Sequence, residues 1–172
     1  MKKSLILVIF IVIFLFGLLL YKKPVTKTGF VTNMTIEKSE NPLFFYEITK
    51  YPSNVEIISS ESGTSHRVGI TGDPWNVNFG VLQPGINGKR FINVANYKER
   101  TYHVKLVSYG NISQMISFSE KDFILYKGDE KKITVFLNSS LSTGFGNYTG
   151  EIDITSESTN IPFLGKILWG IQ

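Results

Sequence analysis

The sequence has no cysteine. Disulfides, thiol nucleophiles, zinc ribbons and iron–sulfur ligation are excluded together, so any domain here is held by packing alone, which a chain of this length can supply. Histidine is nearly as scarce. His66 and His103 are the only two, and their separation is not a zinc-ligand spacing. There is no Gly-x-Ser-x-Gly elbow for a nucleophile, no Asp-x-Asp-x-Asp-Gly calcium loop, and no glycine-rich turn opening a helix to cradle phosphate. A concentrated basic surface is missing too. The formal charge is +4, but Lys2, Lys3, Lys22 and Lys23 account for it, and the remaining basic residues balance the 14 acidic ones. A nucleic-acid partner needs a dense positive face to displace counterions, so none is expected. No cofactor, metal or enzymatic activity is expected either.

One long apolar run stands out. Residues 4–21, SLILVIFIVIFLFGLLLY, carry no charge. About 18 residues make roughly 27 Å of helix, enough for a thin hydrocarbon core. A signal peptide has a shorter apolar stretch ending in small residues. This run ends Leu18-Leu19-Leu20-Tyr21-Lys22, which fits an uncleaved anchor better. A prepilin-type signal fails at the Lys3-Ser4-Leu5 junction and lacks a Glu in the run. The flanking lysines are balanced and set no orientation. The short N-terminal tail points outward, as do four Asn-x-Ser/Thr triplets at Asn33, Asn111, Asn138 and Asn147. These are about twice what composition alone gives and are candidate N-glycosylation sites; Asn-rich turns are the competing reading. The expected location is the cell membrane, single-pass through residues 4–21, with the C-terminal domain outside the cytoplasm.

Past residue 24 no long helical periodicity is sustained. Short alternating runs broken by turn residues predict an all-β domain. Residues 30–36, 43–48 and 54–58 give three apolar runs, and 59–65 read as a linker or long loop. Further strands are expected at 67–72, 77–82, 89–97, 101–107, 116–119, 122–126, 131–137 and 147–154, with FLGKILWGI (163–171) as the last, well-covered strand. Turn dipeptides at Pro84-Gly85 and Asn87-Gly88 separate two of them. The expected organisation is an anchor over 1–23, a membrane-proximal β segment over 24–65 packing on the main domain, and an immunoglobulin-like β-sandwich over 66–172.

Within residues 66–158 the stretches VNFGVLQPG, RFINVANY, FILYKGDEKKITVFLN and GNYTGEIDI resemble the hydin-like and major-sperm-protein-like immunoglobulin-fold modules of archaeal and bacterial membrane-anchored surface proteins. Phe79, Gly80, Pro84 and Gly85 match the first element of that pattern; Gly128, Asp129 and Lys131 match its turn; Gly146, Tyr148 and Gly150 match its last strand. Residues 95–103, ANYKERTYH, depart from the short Asn-Gly hairpin turn of those modules. The resemblance implies a non-catalytic spacer, adhesive or scaffold module.

The strand from Tyr148 poses one question of its own. Tyr148, Gly150, Ile152 and Ile154 point one way, and Thr149, Glu151, Asp153 and Thr155 the other. The first face is expected in the core and the second in solvent, with Glu151 and Asp153 about 7 Å apart along the strand and paired to lysines such as Lys131 or Lys132. The Tyr148 hydroxyl is expected to bond a neighbouring backbone group as a corner contact. His103 is expected in solvent, next to an inward Tyr102. Candidate interaction residues are Phe136, outward on its own strand, and Phe163 and Trp169 in the C-terminal run, which could pair as an edge strand with another copy. Other envelope proteins or copies of the chain are the expected partners. The function expected is a scaffold or adhesive module of the cell envelope, with an accessory subunit of a surface filament, motility machine or other membrane complex as the alternative.

Overall fold

Two 14-residue strands form the spine of the molecule. β2 (Phe44–Ile57) and β9 (Gly146–Thr159) run antiparallel and pair along their whole length, from Phe44 opposite Thr159 to Ile57 opposite Gly146. The structure, a computed structural model, describes residues 2–19, 29–59 and 74–170. Before the spine come α1 (Lys2–Leu19) and β1 (Thr35–Glu40). Between its two strands lie β3 (Val77–Leu82), β4 (Gly88–Ala95), β5 (Tyr102–Gly110), a 3₁₀ turn (Ser113–Met115), β6 (Ile116–Phe118), β7 (Asp122–Leu125) and β8 (Glu130–Leu137), and α2 (Pro162–Trp169) closes the chain. The large sheet has the order β1-β2-β9-β5-β7, with β3 also against β2; β4-β8-β6 form a smaller sheet. All described pairings are antiparallel except β2 with β3. Apart from the 3₁₀ turn, all the regular structure described between the two helices is β-strand.

The two sheets share one apolar core. Val55, Ile57, Val104, Leu106, Ile152 and Ile154 enter it from the large sheet, and Ile92, Val94, Ile133, Val135 and Leu137 from the small one. Each is an alternate residue on its strand, as a pleated sheet buried on one face requires. Burying such side chains stabilises the fold by roughly 1.5–3 kcal/mol apiece.

Several elements differ from expectation, each for a local reason. The runs at 43–48 and 54–58 are one strand, β2, with Pro52 inside it. Proline cannot donate to a ladder, and it sits at a break in pairing: β1 partners β2 only as far as Lys50, and β3 takes over at Ser53. β1 and β2 therefore belong to the large sheet itself. The strand expected at 67–72 and the boundary at 65 lie outside the described residues. No hairpin joins 89–97 to 101–107, because β4 and β5 lie in different sheets. The crossing is organised by Asn96, a buried side chain whose Nδ2 donates to the carbonyls of Arg100 and Leu125 and whose Oδ1 accepts from Lys98 N. Gly80 (φ +73°) occupies a bulge where β3 slips register against β2, and the Asn78 side chain closes it by accepting from Gly80 N.

The largest departure is at the C-terminus. Residues 162–169 form a helix, not a strand. Pro162 stands at its N-terminal position and Gly170 ends it in the left-handed conformation (φ +63°), donating to the Lys166 carbonyl. This is the usual division of labour between proline and glycine at helix ends.

At one end of the sheets lie the β1–β2 turn (residues 41–43), the start of β2, the end of β9 and α2. At the other lie the loops 83–87, 110–115 and 138–145, linked by Gly85 N to Ser140 O, Ile112 N to Thr149 O and Asn138 N to Met115 O. The side chains of residues 5–15 in α1 are between 44% and 73% exposed. Phe10, Ile13, Phe14 and Gly17 line an apolar cleft of about 330 Å³ with Asn41, Pro42 and Leu43. Among the described residues no helix is long and apolar enough to cross a membrane; the apolar run of the sequence continues to residue 21, past the described end of α1.

Candidate functional site

The outer face of the large sheet, away from the shared core, carries two unusual features side by side. The first is a buried charge cluster. Lys50 on β2 stands directly opposite Asp153 on β9, with Glu151 two residues along the same face. Their exposures are 1%, 1% and 0%. Lys50 Nζ is 2.9 Å from Glu37 Oε1 on β1, and Glu151 Oε2 accepts from Val31 N at 3.0 Å, which lays the chain preceding β1 across the sheet.

Glu151 and Asp153 therefore do not face solvent, and neither pairs with Lys131 or Lys132. Lys131 bridges Glu120, and Lys132 lies over the Phe91 ring. Strand alternation separates the two faces correctly but does not say whether the second face is covered. Here the cover comes from a segment 120 residues away in sequence.

The cluster has an excess of negative charge. Burial drives the Asp153 carboxyl up, and the adjacent Glu151, by charge and by hydrogen bond, drives it further, to about 7 from an ordinary 3.8, against the opposing pull of Lys50. Burial alone would lower Lys50, but the hydrogen bond to Glu37 and the charges of Glu37, Asp153 and Glu151 outweigh it and hold the amine above its ordinary value. As ionised acceptors, Glu151 Oε1 and both Asp153 oxygens have no hydrogen-bond donor. A proton on Asp153 supplies one, which is how neighbouring buried carboxylates avoid ionising together. The arrangement can store a proton and tie β1 to the sheet. It offers no access to a substrate, because all three groups are sealed.

The second feature is α2. Leu164 is buried against the sheet, and the Trp169 ring packs 6.4 Å from Phe44 and 5.4 Å from His103, centre to centre. His103 is consequently covered rather than solvated, and its Nε2 bonds Asp122 Oδ1 at 2.6 Å. Trp169 thus faces inward. Phe163 (66%), Ile167 (62%) and Leu168 (51%) face out. The helix start is tied to the β1–β2 turn, since Asn160 donates from its backbone to Leu43 O and from Nδ2 to Asn41 O.

The remaining candidate residues are scattered. Phe136 is half-buried on the outer face of the small sheet, opposite Lys89 and Ser117. The four triplet asparagines are all exposed. Asn111, Asn138 and Asn147 gather at the loop end: Asn111 Oδ1 accepts from Thr149 N, Asn138 Nδ2 donates to Ser117 Oγ, and Asn147 opens β9 opposite Glu56. Asn33 lies just before β1. The Tyr148 hydroxyl donates to Gly144 O at 2.9 Å, the corner contact the sequence suggested. Leu141 and Phe145, not singled out by the sequence, are 87% and 68% exposed at the same end. His66 lies outside the described residues. Among the described residues, no group of three or more His, Asp or Glu side chains is placed to hold a metal ion.

These features define a class: a two-sheet, all-β protein with an apolar N-terminal helix and a sealed charge cluster on its outer face. No family model, curated protein or solved structure matches the chain.

Proposed function

We propose that the protein is a non-catalytic, membrane-anchored module of the cell envelope, held by a single span through residues 4–21 and carrying an immunoglobulin-like β-sandwich outside the cytoplasm as a scaffold or adhesive domain. The observation that carries this reading is the polarity of the molecule. Exposed apolar helix surface gathers at one end, around α1, the turn at 41–43 and α2. Three of the four exposed triplet asparagines gather at the other. An anchored domain needs its greasy end at the bilayer and its modifiable end away from it.

The sandwich assignment is supported by the facing sheets and by the Tyr148–Gly144 corner bond. The resemblance to hydin-like and major-sperm-protein-like modules belongs to the same reading. The Lys50–Glu151–Asp153 cluster takes no catalytic part in this reading, since a catalytic pair must be reachable and this one is sealed. A second reading, an accessory subunit of a surface filament, motility machine or other membrane complex, is favoured by the exposed Leu141 and Phe145 at the loop end, which a partner would bury.

The test is protease access in intact cells producing the full chain with a C-terminal epitope. Protease added outside should remove the domain while a cytoplasmic marker survives. Protection until the cells are lysed would refute the orientation, and release of the chain from membranes by alkaline carbonate would refute the anchor.

A further inference from the structure

A helix of eight residues cannot hide a full ring of apolar side chains against one sheet, and α2 does not. Leu164 and Trp169 are spent on the sheet, yet Phe163, Ile167 and Leu168 remain more than half exposed on the opposite side. Single exposed apolar residues are ordinary, but a contiguous set on one short helix marks a contact surface. Between Asn160 and Gly170 the only charged residue is Lys166, which is exposed.

The position of this surface says what it meets. Asn160, two residues ahead of α2, is bonded to Asn41 and Leu43. The same turn lines an apolar cleft together with Phe10, Ile13, Phe14 and Gly17 of α1. The outward face of α2 therefore lies at the same end of the sandwich as the cleft that α1 lines, opposite three of the four triplet asparagines. A short helix with apolar side chains outward, one lysine at its edge and no acid suits the boundary between lipid headgroups and acyl chains, where a lysine extends its amine to the phosphates.

We infer that α2 is a second membrane contact: Phe163, Ile167 and Leu168 enter the headgroup–acyl boundary beside the anchor, and the sandwich lies against the bilayer at a fixed tilt instead of swinging on a tether. The occupant is a lipid surface, and the inference rests on the anchor reading above. It differs from the edge-strand pairing expected of this segment, because the helix leaves no strand edge there to pair.

The absence of cysteine allows a clean test with the full chain in vesicles containing a fraction of anionic lipid. Ile167→Cys and, at the loop end, Leu141→Cys each carry one environment-sensitive fluorophore. The label at 167 should be blue-shifted, quenched several-fold more by shallow spin-labelled lipid than the label at 141, and shielded from aqueous iodide. Equal iodide quenching at both positions, in vesicles that retain the chain on flotation, overturns the lipid contact and leaves the anchor standing. Shielding at 167 from both quenchers overturns it in favour of a protein neighbour, including a second copy. Loss of the chain from the floated vesicles refutes the anchor, and the lipid contact falls with it.

Discussion

The two faces of β9 are equally dry and chemically opposite. Ile152 and Ile154 point into the shared core at 0% and 3% exposure, and Glu151 and Asp153 point into the outer layer at 0% and 1%. The inner face gains stability from burial in proportion to apolar area. The outer face gains little from it, because withdrawing charges from water costs about what their attraction returns. What the outer face offers instead is definition. Lys50 keeps its Glu37 partner, and Glu151 its bond from Val31 N, only when β1 and residue 31 lie in one place. A buried apolar patch would tolerate sliding; a buried charge set does not.

Removing the cation should separate the faces most sharply. Lys50→Met leaves two sealed carboxyls without a counter-charge and is expected to cost about 3–5 kcal/mol at pH 8, with a smaller loss at pH 5, where Asp153 holds a proton. Ile152→Ala should cost about 2–5 kcal/mol at both pH values. Urea unfolding of the detergent-solubilised full chain reads both, and an equal loss for Lys50→Met at the two pH values would show that the cluster's charge is irrelevant.

Asp153→Asn gives the next effect. Because the folded-state pKa is raised from 3.8 to about 7, the folded protein holds this proton more tightly than the unfolded chain. Its contribution is unimpaired below about pH 4, declines as pH rises toward 7, and stays low above that, with a slope of at most about 1.4 kcal/mol per pH unit. The asparagine variant should therefore gain on the parent as pH rises through that window. A constant difference from pH 4 to 8 would refute the raised pKa. The smallest effect is expected at Tyr148→Phe, which removes only the hydroxyl bond to Gly144 and should cost about 1 kcal/mol, without pH dependence; a difference within the error of the unfolding midpoint would make the corner bond incidental.

Much of the inner layer was legible in the sequence because its causes are local. Val77, Phe79, Ile133, Val135 and Leu137 show their inward faces by alternation, Gly128 marks its turn, and Tyr148 finds its carbonyl four residues back. The outer layer was not legible, since its cover depends on contacts across the whole chain. Nothing near Glu151 reveals that Val31 will lie over it, and nothing near His103 reveals Trp169. The C-terminal helix is a different case. Its signs were present, in Pro162, Gly170 and the apolar spacing of 163, 164, 167 and 168, but a dense apolar stretch of this length reads equally as a covered strand.

The placement of the Glu37–Lys50 contact has a mechanical consequence. β1 enters the sheet at Thr35, opposite Lys50 in the middle of β2, and runs back toward the turn that lines a cleft with α1. Tension arriving from the N-terminal helix would peel β1 away pair by pair, beginning at Thr35, instead of loading all six pairs at once. The ion pair from Glu37 and the Val31–Glu151 bond stand where that peeling would start, so the charges sealed beneath the strand act as its rivet.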